Sequence, residues 1–236
     1  MALGVGTGPL SPDCDGAVLP ARPDAFLQPY PRRVRAIVGD RTVLDTEGAV
    51  MLHAAGRMPQ LWFPAGDVSA DLLPEGATAR PGADDPADAI GDRVSIRFSA
   101  ADRWLVEDEP VYAHFKDPYH RVDVLTASRS VVVRVGGEVV AESLRPKLLF
   151  ETGLPVRYYV PWADTAIGAF ERSGTVSECP YKGDGQHWHV TAGGQRVEDA
   201  AWSLPRPLPE GFPALEHVAF YAEKVELEVD GRRVTA

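Results

Sequence analysis

The sequence predicts a mainly β protein made of two tandem, similar small β-barrel or roll domains with short helices. Three observations predict this. The 236 residues include 22 Gly and 21 Pro, a composition that favours turns over long helices. Val-rich, β-branched runs recur and suit strands. An ungapped internal repeat runs through both halves, which is the first thing to look for in a chain of this length. One continuous β domain built from both halves is the alternative.

The repeat sets the elements. Val34 to Val68 slides forward by 97 positions onto Val131 to Thr165. Val34 meets Val131, Gly39 meets Gly136, Leu52 meets Leu149, Gly56 meets Gly153, Pro64 meets Pro161 and Asp67 meets Asp164. In the second copy an alternating strand, Val131 to Val135, reaches a turn at Gly136-Gly137, and a second strand follows from Glu138 to Ala141. Two runs joined by Gly-Gly read as a hairpin. A short helical turn is expected around Pro146 to Glu151, ending at Gly153, where a left-handed cap suits glycine. An aromatic strand, Arg157 to Val160, then stops at Pro161; Leu61 to Phe63 stops at Pro64 in the first copy. Beyond this the copies diverge. Thr78 to Gly91 reads as an exposed loop, Arg93 to Phe98 and Arg103 to Val106 as strands, and Lys224 to Val229 as the last strand. The domain reading is a poorly ordered leader over residues 1–29, a first repeat over 30–127 and a second over 128–236.

Charge and composition narrow the function. A net charge of −10 speaks against broad nucleic-acid or anionic-membrane binding. Met1 to Leu10 lacks the basic flank and apolar core of a signal peptide, and no stretch reaches the roughly 20 apolar residues of a membrane helix. A cytoplasmic protein is expected. There, a Cys14–Cys179 disulfide is disfavoured.

The motifs concentrate in the second half. Gly153-Leu-Pro-Val-Arg-Tyr-Tyr-Val-Pro161, Cys179-Pro-Tyr-Lys-Gly183, Ala200-Ala-Trp202 and Val218-Ala-Phe-Tyr221 follow one another. A His114-x-x-Asp117-Pro-Tyr-His-Arg-Val-Asp123 segment closes the first half. In that order they resemble a bacterial family known as domain of unknown function 427, in its two-copy form, over about residues 30 to 230. The resemblance implies a compact β fold and brings no established activity. A nucleotidyltransferase label is attached to the family. Such enzymes need clustered carboxylates for Mg²⁺ and a backbone cradle for phosphates. Gly183-Asp-Gly185 only echoes a cradle, and no Asp-x-Asp lies near it. The first copy lacks Cys-Pro-Tyr-Lys-Gly, so one motif-bearing site per chain is expected.

Each candidate residue has a chemical reading and a plainer one. Cys179 lies three residues from Lys182, whose ammonium would favour a thiolate. His187 and His189 alternate with Trp188 on an expected strand, Gln186 to Thr191. A Cys179–His187 pair would suit nucleophilic catalysis, whereas a structural Cys at the base of a turn is the plainer reading. Cys179, His187, His189 and His217 have zinc-ligand chemistry, yet paired Cys-x-x-Cys spacing is absent; no metal or cofactor is expected. Arg157 and Tyr159 share a strand face and suit recognition of a carboxylate or phosphate, against a structural ion pair. Tyr181, Lys182, Gly183, Trp188 and Trp202 complete the expected ligand site, with Trp104, Phe220 and Tyr221 as further aromatics that otherwise fill a core. His120 is the expected proton carrier of the His114 to Asp123 segment. Read as a strand, that segment puts His114 and His120 on one face, and an inter-repeat hydrogen-bond network is its plainer role.

The leading functional expectation is binding of a small anionic or aromatic molecule at the second repeat or the cleft between the repeats. An enzyme using Cys179 or a His is the alternative, and a protein-interaction module the third.

Overall fold

A computed structural model describes residues 17–19, 22–54 and 57–235, which divide into two compact units between Tyr119 and His120. Cys14, and with it the disulfide alternative, and Gly56 lie outside the described residues.

The first unit holds β1 (Ala17–Leu19), β2 (Arg22–Pro29), β3 (Val34–Val38), β4 (Arg41–Thr46), β5 (Val50–Ala54), β6 (Gln60–Pro64), β7 (Thr78–Ala79), β8 (Arg93–Ile96), β9 (Arg103–Val106) and β10 (Glu109–Pro110). They form a six-stranded sheet, β1-β2-β5-β6-β8-β7, and a four-stranded sheet, β10-β9-β3-β4. The inward residues of alternating strands build the core: Val34, Ala36 and Leu44 meet Met51, Leu61, Phe63 and Trp104. Every strand pairing is antiparallel, so one face of a sheet can stay outside the core.

The second unit holds β11 (Val122–Thr126), β12 (Val131–Val135), β13 (Glu138–Ser143), β14 (Lys147–Glu151), β15 (Arg157–Pro161), β16 (Phe170–Ser177), β17 (Gly183–Ala192), β18 (Gln195–Pro207), β19 (His217–Phe220), β20 (Glu226–Val229) and β21 (Arg232–Arg233). Its sheets run β11-β14-β15-β19-β18-β17-β16 and β13-β12-β20-β21. Val131, Val133 and Leu227 pack on Val160, Val190, Val218 and Phe220 between them. A second cluster of Leu149, Tyr159, Tyr181, Leu204 and Ala219 lies apart from this core, with Cys179 and Trp202 packed against it.

The fold is mainly β, and the internal repeat is kept to the level of strand register. Val34 faces Thr46 and Val131 faces Ser143, and both hairpins carry a bulge at the same place, after Ala36 and after Val133. Val50 faces Trp62 as Lys147 faces Tyr159. The Thr46 hydroxyl donates to Asp67 at 2.6 Å, and the Ser143 hydroxyl donates to Asp164 at 2.7 Å. The repeat also begins earlier than the sequence showed: Ala25 faces Ala54 as Val122 faces Glu151.

Farther along, Val34 faces Val106 as Val131 faces Val229, so β9 and β20 stand 123 residues apart rather than 97 and the second unit carries a net 26 extra residues. They supply β16, β17 and the turn that connects them.

Several expectations change. No sheet closes into a barrel; each ends in edge strands, β11 and β16 in the largest case. The helical turn expected at Pro146 to Glu151 is strand β14, because Leu148 and Leu149 are hydrogen-bonded into ladders on both sides. The expected loop Thr78 to Gly91 contains β7 and a one-turn helix, Ala87–Ile90, that buries Ile90. The leader contributes β1 and β2. The chain divides at Tyr119/His120, ahead of the expected 127/128 boundary, because β11 joins the second unit. His114 to Asp123 is not one strand: Pro118 cannot donate to a ladder, and extended pairing starts only at Val122.

Candidate functional site

In the second unit one sheet face packs on the core and the other carries the polar and aromatic groups singled out by the sequence. Strand register builds that second face directly. Lys147 pairs with Tyr159, Tyr159 with Ala219, Ala219 with Trp202, and Trp202 with His187, so one row crosses five strands. Arg157 lies two residues before Tyr159 on β15 and therefore shares its face.

Aromatic contacts hold the row. The Trp202 indole N–H donates to the Tyr159 hydroxyl at 2.9 Å. Tyr159 is 1% exposed; burial pushes its hydroxyl pKa far above the ordinary value, against the opposing effect of the Trp202 bond. The Trp202 and Tyr221 rings lie 4.4 Å apart. Above them sits the Arg157 guanidinium, 5.5 Å from the Trp202 ring centre and 5.6 Å from that of Tyr221, within cation–π range. Its carboxylate partner, Glu223, is reached only by long bonds of 3.4 Å. Burial also raises the Tyr221 pKa, with Arg157 opposing.

His187 stacks on Tyr221 with ring centres 6.0 Å apart, and its Nε2 lies 3.2 Å from the Ser177 hydroxyl. It is 7% exposed, and its Nδ1 is buried without a partner. Burial lowers its pKa, partly offset by Asp199.

The Cys-Pro-Tyr-Lys-Gly motif forms a tight turn into β17. The Cys179 carbonyl accepts the Gly183 N–H at 2.9 Å, and the Cys179 sulfur accepts the Lys182 N–H at 3.4 Å. Gly183 has φ +93°, and a Cβ there would stand 2.7 Å from the Arg206 carbonyl oxygen, so only glycine suits the position. The turn directs Lys182 to Glu151 and Tyr181 to His120. Lys182 pairs with one Glu151 oxygen, and His120 Nε2 lies 3.0 Å from the other. The Tyr181 ring lies 4.5 Å from that of His120. The Glu151 side chain is 6% exposed.

The structure thus gathers Arg157, Tyr159 and Trp202 with Tyr221 and His187, and gathers His120 and Lys182 on Glu151 with Tyr181 against the His120 ring. It does not put the Lys182 ammonium on the Cys179 sulfur or hydrogen-bond His187 to Cys179. Trp188 turns to the core face, 5.1 Å from Trp162, with its N–H on the Ser203 hydroxyl. His189 accepts the Asp199 N–H at 3.0 Å, and His217 Nδ1 lies 2.7 Å from the Leu215 carbonyl oxygen. Among the described residues no three His, Cys, Asp or Glu side chains come together to hold a metal ion. Glu151 and Ser177 were missed. Glu151 carried no signal while its segment read as a helical turn, and Ser177 lies on β16, a strand the sequence did not indicate.

The model of a family described as a domain of unknown function, DUF427, matches residues 26–81 and 123–231. The chain belongs to this family. The two matched DUF427 segments begin 97 residues apart, at counterpart positions in β2 and β11. No curated protein matches the chain. The DUF427 description names no activity, so function rests on the site. No helix among the described residues is long and apolar enough to cross a membrane.

Proposed function

We propose that the second unit binds a small aromatic molecule carrying an anionic group, with Arg157 holding the anion and Trp202 and Tyr221 contacting the ring. The observation that carries this reading is the guanidinium poised over two aromatic rings while its carboxylate partner stays at 3.4 Å. A ligand carboxylate or phosphate can make shorter, bidentate bonds to that fork. Tyr159, held by Trp202, gives the platform a rigid base. Lys182 and Tyr181 are committed to Glu151 and His120, so they border the site. Trp188 has no part in it.

The test is thermal melting with 4-hydroxybenzoate, indole-3-acetate and a nucleoside monophosphate, against inorganic phosphate and benzyl alcohol, which each carry half of the chemistry. Aromatic anions are expected to raise the melting temperature with dose, and Arg157→Ala to abolish the rise. Arg157→Lys is expected to weaken it, because the planar fork is lost. An unchanged response in Arg157→Ala, or no response to any aromatic anion, would overturn the reading.

A further inference from the structure

Glu151 organises a second group of residues whose chemistry differs from anion binding. A carboxylate only accepts hydrogen bonds. Lys182 pairs with one oxygen of the Glu151 carboxylate, and the other lies 3.0 Å from His120 Nε2. That contact must therefore be an N–H donated by Nε2. A neutral imidazole has one N–H, so the basic lone pair falls on Nδ1. Nδ1 has no hydrogen-bond partner among the described residues and is not among the buried polar atoms. The side chain keeps 20% of its surface exposed, and Tyr181 fixes the ring from the side. A carboxylate that fixes the tautomer and faces the imidazolium once it forms is what a general base requires.

We propose that His120 is a general base acting through Nδ1 on a water or hydroxyl nucleophile, with Glu151 and Lys182 as positioning residues. In this step the O–H bond breaks and an N–H bond forms at Nδ1. The oxygen's electron pair bonds to the electrophilic carbon of a carbonyl substrate. The leaving group departs with its bonding electrons, and the proton returns from Nδ1. The imidazolium that forms in between faces the Glu151 carboxylate. This proposal does not depend on the Arg157 ligand reading.

Two measurements on the full chain test it. Nitrogen NMR of histidine-labelled protein should show neutral His120 protonated at Nε2 and bare at Nδ1, and unchanged in Arg157→Ala, which keeps the two readings separable. Hydrolysis of 4-nitrophenyl acetate to acetate and 4-nitrophenol should slow in heavy water. It should fall about a hundredfold in His120→Gln and stay unchanged in His114→Gln. Lys182→Met should lower the rate and broaden the His120 nitrogen signals. Nδ1-protonated His120, or a wild-type rate no greater than that of correctly folded His120→Gln, would overturn it.

Discussion

His53 shows how burial writes a pH dependence into this chain. It is 2% exposed, with Phe26 and Tyr119 rings beside it and Asp117 at 3.7 Å. Burial lowers its pKa below the ordinary value, more than Asp117 raises it. His187 and His217 shift in the same direction, again first through burial. The unfolded chain therefore takes up these protons first, near pH about 6.5. Stability is full above that value and declines as pH falls below it, until the folded-state pKa values are reached. A urea midpoint that drops between pH 7.5 and 5.5, with part of the drop removed in His53→Leu, is the expected result. Trp202 makes a second residue-scale prediction. Trp202→Phe leaves the Tyr159 hydroxyl, in a residue 1% exposed, without its donor. It should cost about 1–3 kcal/mol in urea unfolding.

Elements repeat more faithfully than their surroundings do. The hairpin turns at Gly39 and Gly136 both have φ +57°, yet a Cβ at Gly39 meets open space, whereas at Gly136 it would lie 2.7 Å from the Ala192 carbonyl oxygen. The reciprocal clash at Gly193, 2.1 Å from the Gly136 oxygen, shows the β17–β18 turn seated on the β12–β13 turn. Gly39→Ala should therefore cost about 1–2 kcal/mol for left-handed backbone alone. Gly136→Ala should cost about 1–3 kcal/mol more, and chemical denaturation of the pair checks the difference. These hairpins were legible from Gly39-Asp40 and Gly136-Gly137 between β-branched runs. Strand β14 was not. Pro146 and Gly153 punctuate Lys147 to Glu151 as they would a helical turn, and only pairing with β11 and β15 on either side decides for strand. With β14 misread, Glu151 had no face to share with Arg157 and Tyr159. Half of the candidate site was thus hidden, while the aromatic half followed from alternation along β15.

At the scale of the molecule, the tandem repeat was visible wherever both copies kept matching residues and invisible where they kept only geometry. Ala25 to Pro29 and Val122 to Thr126 share no obvious sequence, yet occupy equivalent ladders, one in each unit. The unit boundary accordingly precedes β11. A fragment of residues 120–236 should unfold cooperatively in calorimetry. One of residues 128–236 should lose that transition or aggregate, because removing β11 bares the β14 edge. The 26 additional residues have a further consequence. They enter after the 3-10 turns Ala70–Leu72 and Ile167–Ala169 and leave before Thr78 and Ala201, where the two scaffolds coincide again. A segment bounded by matching joints behaves as a cassette. Residues 170–200 could replace residues 73–77 without altering the strands that flank them, and the graft would carry His187 and the Cys-Pro-Tyr-Lys-Gly turn. Arg157, Trp202 and Glu151 would stay behind in the duplicated frame, so cassette and frame each hold only part of the candidate site.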